Sequence, residues 1–473
     1  MNILMVSLGC DKNLCDSEAM LGLLRAEGYN IINEEAEADV VIINTCSFIH
    51  DAMEESINTI LEMARLKEER LKYLIVAGCL AQRFQDEITK EIPEIDACVG
   101  IGSIDRIGDV IKELFETDSR KESEEQKSAK QKDAKHKSTE YNADIQEKIK
   151  KYDDISRLPL IDADKVITSG TFMGYLKIAE GCNKHCTYCV IPKIRGNFRS
   201  VPKERLLKEA SYMANQGIRE LVLVAQECTS YGVDLYGKKV LHELIHELGL
   251  IDGIEWIRVL YCYPEEITDE LIDAFANEPK LLHYIDMPLQ HCEDKILARM
   301  GRKTDKASIQ NVIARLRSKI PDMAIRTTFI TGFPGETKKE HEALLEFIDE
   351  IEFDRLGVFT YSREEGTPAA DFENQVDEET ALLWKNEIME LQQEISLDKH
   401  IGFVGKIMKV IVEGYIPEED VYVGRTYRDA AGIDGFVYIN CDYTLISGDI
   451  VDVKITEAAP YDLIGEIKDE FTE

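Results

Sequence analysis

Three apolar runs, Ile3–Ser7, Asp39–Asn44 (DVVIIN) and Tyr73–Ala77 (YLIVA), alternate with helical stretches near the start of the chain. Ser17–Glu27 reads as a helix, with Asp16 or Ser17 as N-cap and Gly28 past its end. Asp51–Arg70 reads as a long amphipathic helix. Runs this uniformly apolar belong to strands buried on both faces, and intervening helices make those strands parallel. Residues 1–117 are therefore expected to form a doubly wound α/β domain.

The alternation resumes at about Thr168. Candidate strands are Tyr175–Ala179, Leu221–Ala225, Trp256–Tyr261, Tyr284–Met287, Ala324–Ile330 and Leu356–Tyr361, separated by helices such as Lys203–Gln216 and Lys338–Glu350. Six such units over 168–400 predict a partial (β/α)6 barrel, smaller than the eight-unit form. Leu382–His400 is a helix leading out. Residues 402–473 change texture, with short alternating strands (Lys406–Val412, Asp434–Ile439, Asp449–Thr456) between Gly and Asp turns, which predicts a small OB-like β-barrel. Between the first two domains, 118–151 is charged. Asp118–Glu140 holds seven Lys or Arg and six Asp or Glu, with almost no large apolar residue, and is expected as a flexible linker.

Composition narrows the function. No stretch approaches the roughly 18 apolar residues of a membrane span. Leu8-Gly9-Cys10 looks superficially like a lipoprotein box, but no Lys or Arg precedes it, and it is read as the end of the first strand of a cytoplasmic protein. Formal net charge is −34, which repels nucleic acid unless positive charge is gathered into a patch. Twelve cysteines in a chain without an export signal point to metal ligation or redox chemistry rather than to disulfides.

Six of those cysteines fall in two sets. Cys182, Cys186 and Cys189 are spaced C-x3-C-x2-C just past the first barrel strand, on the face where β/α barrels carry their active sites. Three thiolates this close suit three irons of a 4Fe-4S cluster and leave one iron open. The alternative is a structural zinc, with His185 as fourth ligand. Cys10, Cys46 and Cys79 each end a strand run of the first domain (ILMVSLGC, DVVIINTC, YLIVAGC). Open parallel sheets bind ligands outside the carboxyl ends of their strands, so the three are expected to meet there and hold a second cluster. The alternative for each is a buried small residue. Cys15, Cys98, Cys228, Cys262, Cys292 and Cys441 show no such pattern and read as core or incidental residues.

The run Gly181-Cys182-Asn183-Lys184-His185-Cys186-Thr187-Tyr188-Cys189-Val190-Ile191-Pro192 resembles the radical S-adenosylmethionine signature. In that family the open iron chelates the cofactor's amino and carboxylate groups, and the reduced cluster releases a 5′-deoxyadenosyl radical. With the second set, the chain resembles the methylthiotransferases over its whole length except 118–151. That resemblance implies a flavodoxin-like N-terminal domain, a radical-SAM barrel and a C-terminal TRAM barrel. It also implies two 4Fe-4S clusters, two S-adenosylmethionine molecules and an external electron donor. Tyr188 is expected against the adenosine, with a packing aromatic as the alternative. Gln226, Glu227 and Arg326, at strand positions, and Gly332-Phe333-Pro334, in a Gly-rich turn, are expected to border the cofactor. A tight turn alone would need the same glycines. His291, in Pro288-Leu289-Gln290-His291, reads as structural. Lys193, Arg195 and Arg199 form a small basic run, expected on the surface or toward an acidic substrate.

One branch of this family modifies a transfer-RNA adenosine. The other modifies the β-carbon of an aspartate in small-subunit ribosomal protein S-twelve. Ser7–Glu18 is similar to the opening of the protein-modifying branch, with Asp11 where Pro and Cys15 where Val is usual. Gly424-Arg425-Thr426, Ile433-Asp434-Gly435 and Ala459–Glu466 are similar to it as well. Residues 401–473 carry six basic and fifteen acidic side chains. An acidic barrel suits a basic ribosomal protein better than RNA. The reading is therefore a protein methylthiotransferase, with a transfer-RNA methylthiotransferase and a non-enzymatic iron–sulfur carrier as the alternatives.

Overall fold

The computed structural model describes residues 1–132 and 148–467. It divides into two compact units, Met1–Val166 with Ile191–Asn197, and Ile167–Val190 with Phe198–Glu473.

The first unit is built on a six-stranded sheet of β1 (Asn2–Ser7), β2 (Asn30–Ile32), β3 (Val40–Thr45), β4 (Tyr73–Gly78), β5 (Ala97–Val99) and β6 (Ile149–Lys151). The order is β2-β1-β3-β4-β5-β6, with every pair parallel. Its period-2 pleat sorts the apolar runs between two cores. Ile3, Val40, Ile42 and Ile75 pack with Ile107, Val110 and Ile111 on one face. Leu4, Val41, Ile43, Leu74 and Val76 pack with Ile60, Met63 and Ile88 on the other. Each Ile, Leu or Val buried this completely contributes roughly 1.5–3 kcal/mol, which is why these strands tolerate so few polar residues.

Regular structure occupies both ends of the linker expected over 118–151. The helix Ile107–Lys132 runs through its first part, and β6 pairs with β5 at its end. A charge-rich sequence of Lys, Glu, Gln and Ala can still extend a helix that is anchored by a buried first turn. Residues 133–147 of the expected linker lie outside the described residues. The first unit continues to Val166. Ile161 joins its core, and Lys165 pairs with Glu18 at 3.2 Å, both side chains buried.

The second unit opens with β7 (Met173–Lys177) and a short ribbon, β8 (Ala179–Glu180) with β9 (Arg199–Ser200). Then follow β10 (Glu220–Val224), β11 (Trp256–Val259), β12 (Leu281–Asp286), β13 (Ala324–Thr331) and β14 (Arg355–Thr360). The six long strands form an open parallel sheet in the order β14-β13-β12-β11-β10-β7, the partial barrel expected from the sequence. Helix Lys338–Ile351 starts on a complete capping box of Thr337 and Glu340.

Helix Glu378–Ile401 leads to a closed barrel of β15 (Ile407–Ile416), β16 (Val421–Arg425), β17 (Val437–Asn440), β18 (Ile450–Ala458) and β19 (Leu463–Ile467). Its core is Val410, Val412, Val437, Ile439, Val453 and Ile455. Sequence patterning finds three of these strands. It misses β16 and β19, whose neighbouring glycines and prolines read as turns.

Candidate functional site

The strand order reverses between β1 and β3, so a crevice opens at their carboxyl ends, where doubly wound sheets bind ligands. Cys10 precedes helix Asp11–Ala26, Cys46 follows β3, and Cys79 opens helix Cys79–Phe84 directly after β4. Two glycines make this close approach possible. Gly9 has φ +86°, and a Cβ there would lie 2.6 Å from Cys46 Cβ and 2.9 Å from its Sγ. Gly78 has φ +91°, and its Cβ would lie 2.2 Å from Asn44 Oδ1. Cys46 is fixed by Ser56, whose Oγ accepts from the Cys46 amide and donates to its carbonyl, both at 3.0 Å.

The three thiols feel one another. Burial pushes Cys79 up to about 12, although the neighbouring Arg195 guanidinium pulls the other way, and Cys10 and Cys46 add to the rise. Cys46 is also raised, first by burial and then by Cys10 among other neighbours. Ligation of a metal here would therefore displace protons. An all-thiol set with a guanidinium donating to one sulfur suits an anionic iron–sulfur cluster, which accepts N–H···S hydrogen bonds.

The second set sits on the loop beyond β7. Cys182 and Cys186 are buried and Cys189 is half-buried. The Lys184 amide donates to Cys182 Sγ at 3.4 Å, and the Cys189 amide to the Cys186 carbonyl at 3.0 Å. The loop is laced to its surroundings at Thr187. Its amide donates to Met300 O (2.9 Å), its hydroxyl to Arg299 O (2.7 Å), and its carbonyl accepts from the Ala369 amide (2.9 Å). Burial raises the Cys182 thiol to about 11. Among the described residues, no three Cys, His, Asp or Glu side chains close on a single ion position.

Of the residues expected to border the cofactor, Tyr188 and Phe333 are brought together. Their rings meet edge to face at 6.3 Å, within an apolar group that includes Met300, Tyr361 and Phe372. Gln226 follows β10, and both polar atoms of its buried amide lack a hydrogen-bond partner. Buried amides are rarely left so, and a polar ligand would satisfy this one. Glu227 is buried beside it, accepts from Thr229 and from the Ser230 amide (3.0 Å), and is pushed upward by burial.

The Gly332-Phe333-Pro334 turn is held from within. The amides of Gly332 and Phe333 donate to Glu336 Oε2 at 2.7 and 3.1 Å, and Arg299 Nε donates to Pro334 O at 3.0 Å. Gly332, at φ +74°, packs where a Cβ would lie 2.4 Å from Ala381 Cβ. Its glycine thus serves the turn and the packing. Arg326 is committed to Asp286 (2.7 Å) and Asp434 (3.5 Å). His291 is fully buried between Glu336 Oε1 (3.4 Å) and the Glu293 amide (3.0 Å).

Two groups of functional residues escaped the sequence reading. Arg195, expected on a basic surface run, is buried in the first unit against Asn13, Asp16 and Cys79. Nothing in the spacing of Lys193, Arg195 and Arg199 separates an inward guanidinium from a solvated one. The second group joins the small barrel to the large one. Glu220 accepts from Arg258 Nε (2.8 Å) and from Arg425; Arg355 Nε donates to Asp429 (3.0 Å), and Tyr284 Oη to Asp434 (2.8 Å). The motifs containing Arg425 and Asp434 are thus docking elements. Of the other cysteines, Cys15, Cys98, Cys228, Cys262 and Cys292 are buried and Cys441 is half-buried.

Comparison with known proteins agrees with this layout. Residues 2–100 match the family described as Uncharacterized protein family UPF0004, 176–348 the Radical SAM superfamily and 404–467 the TRAM domain. Among solved structures, the radical S-adenosylmethionine methyltransferase TsrM from Kitasatospora setae, with cobalamin and a [4Fe-4S] cluster bound, superposes with a TM-score of 0.55. The match is at 14% identity and covers 78% of this chain and 76% of that one, so it speaks to fold alone. Proteins named ribosomal protein uS12 methylthiotransferase RimO are far more similar. The one from Lachnoclostridium phytofermentans is 50% identical over 466 residues, covering 98% of this chain and 99% of that one. The one from Acetivibrio thermocellus is 46% identical, covering 98% of each. The one from Clostridioides difficile is 45% identical, covering 99% of each. With such identity across all three domains, the chain belongs to the RimO family of radical S-adenosylmethionine methylthiotransferases.

Proposed function

We propose that this protein inserts a methylthio group into ribosomal protein uS12, at the β-carbon of an aspartate as the family resemblance implies. We assign one 4Fe-4S cluster to Cys10, Cys46 and Cys79 and a second to Cys182, Cys186 and Cys189. The observation that carries the reading is the convergence of three remote cysteines on one sheet crevice, in a chain that also holds the radical motif.

When bound, the clusters and S-adenosylmethionine supply the electron, the hydrogen-abstracting radical and the methylated sulfur. The protein supplies position and exclusion of water. Tyr188 and Phe333 offer an apolar edge for the adenosine, while Gln226, Glu227 and the Gly332–Pro334 turn border it with polar groups. The unpartnered Gln226 amide is the strongest of these. Arg326 receives a different role, tying β12 and β13 to the small barrel through Asp286 and Asp434.

The acidic C-terminal barrel supports a basic protein partner over RNA. Among the described residues no helix is long and apolar enough to cross a membrane. We place the reaction in the cytoplasm, with an external electron donor. Mass spectrometry of uS12 and of transfer RNA from a strain lacking the gene tests the reading. uS12 should lose the mass of one CH2S unit and regain it on complementation, with transfer RNA unchanged. An unchanged uS12 contradicts the reading, and a transfer RNA lacking CH2S identifies the other branch.

A further inference from the structure

One buried amide touches all three strand ends of the first nest. Asn13, fully buried, donates from Nδ2 to Leu8 O (2.9 Å) and to Thr45 O (3.0 Å). Leu8 lies just before Gly9-Cys10, and Thr45 immediately before Cys46. Its Oδ1 lies 3.7 Å from Cys79 Sγ and accepts from Arg195 Nη2. The Asn13 carbonyl accepts from Asn44 Nδ2 at 2.8 Å. Every hydrogen-bonding atom of this side chain is thus spent on the nest.

Arg195 completes the arrangement. Nη2 also lies 3.6 Å from Cys79 Sγ, while Nη1 pairs with Asp16 Oδ2 at 3.2 Å, and both of those side chains are only 1% exposed. A fully buried guanidinium is costly unless paired and hydrogen-bonded, and here Asp16 neutralises it. Its planar fork can therefore face a sulfur and an amide oxygen together, which a lysine ammonium cannot reproduce in the same plane. Arg195 ends the short helix Ile191–Arg195, part of the polypeptide that leaves the Cys182–Cys189 motif, yet this segment packs with the first unit.

We infer that Arg195, acting with Asn13, is a positioning residue of the first cysteine nest, holding Cys79 toward its partners and donating N–H to its sulfur. This rests on the assignment of a cluster to Cys10, Cys46 and Cys79. An N–H···S bond withdraws charge from a cluster thiolate and raises its reduction potential. The segment following the radical motif thereby tunes the other nest.

The test uses the full chain with Cys182, Cys186 and Cys189 replaced by Ala, reconstituted anaerobically, so that only the first nest can hold a cluster. Arg195→Lys should retain iron but lower the midpoint potential and alter the electron paramagnetic resonance line shape. Arg195→Gln, which removes the positive charge facing Asp16, should lose iron several-fold. Unchanged potential and line shape in Arg195→Lys overturn the inference. A double-mutant cycle of Arg195→Lys with Cys79→Ser, read as melting temperature in the iron-free chain, guards against variants that lose the metal through misfolding. Non-additive shifts support the contact, and additive shifts overturn it. If the parent holds no iron while the cycle is non-additive, the cluster assignment fails and the positioning role stands.

Discussion

The two cysteine nests solve the same problem by opposite means. Cys182, Cys186 and Cys189 lie on one short loop, shaped from within by the bonds of Lys184 N to Cys182 Sγ and Cys189 N to Cys186 O and tied at Thr187 to the distant Met300 and Arg299. Cys10, Cys46 and Cys79 come from three strands and meet only because the sheet order is β2-β1-β3-β4. The local nest depends on a loop. The remote nest depends on register, on two left-handed glycines and on a buried amide. A one-residue slip of β1 or β4 would turn every side chain of that strand to the other face. The remote nest should therefore be the more sensitive of the two to changes in its scaffold.

The largest expected effect separates the nests by chemistry. Cys182→Ala should abolish 5′-deoxyadenosine release and uS12 modification together. Cys46→Ala should abolish modification while 5′-deoxyadenosine release persists. Product analysis by liquid chromatography after anaerobic reduction distinguishes them, and loss of both activities in both variants would break the division of labour.

Next comes the scaffold of the second unit. Arg425→Met leaves Glu220 facing Arg258 alone and strips Glu413 of its partner. Removing one member of a buried ion network costs about 3–5 kcal/mol. Calorimetry should show the loss as a lower melting temperature. The iron held by a variant that retains only the first nest should not change.

A smaller effect probes the remote nest. Gly78→Ala adds a Cβ at φ +91°, within 2.2 Å of Asn44 Oδ1. With ψ −151°, this is a backbone conformation that essentially only glycine adopts, and it alone costs a side chain roughly 1–3 kcal/mol. Iron bound by the first nest should fall severalfold, with 5′-deoxyadenosine release preserved. Equal loss at both nests would contradict their independence.

The smallest effect is on pH. In the iron-free chain, burial raises Cys79 from an ordinary 9.0 to about 12 and Cys182 to about 11. A thiol whose folded pKa lies above its unfolded one binds more protons when folded. Its stabilising contribution is full below pH 9.0 and is lost as pH climbs through 11 and 12. Melting temperature should therefore fall over that window, and less steeply in Cys79→Ala.

Most of this architecture was legible in the sequence, because apolar runs of Ile, Val and Leu between helices admit few sheets. The six strand-end and loop cysteines stood out by their address, including the widely spaced Cys10, Cys46 and Cys79. What stayed hidden was side-chain direction. Arg195 looks like a solvated base in a basic run, and only the fold turns it toward Asp16 and Cys79. Asn13 precedes the helix expected over Ser17–Glu27, yet the helix starts at Asp11 and Asn13 is fully buried within its first turn. Strand β6 was lost in a charged stretch because two of its three residues are lysines, and pairing with β5 supplies what propensity does not. Arg425 and Asp434 were recognisable as motif residues, but their docking role depends on Glu220 and Tyr284, far away in sequence.

The central claim is that the chain holds two clusters in two separable nests. Iron and sulfide analysis after anaerobic reconstitution tests it most directly. The full chain should bind about eight iron, and replacing either Cys10, Cys46 and Cys79 or Cys182, Cys186 and Cys189 with Ala should leave about four. A chain that loses all its iron with the second trio, or keeps about eight without the first, would contradict it.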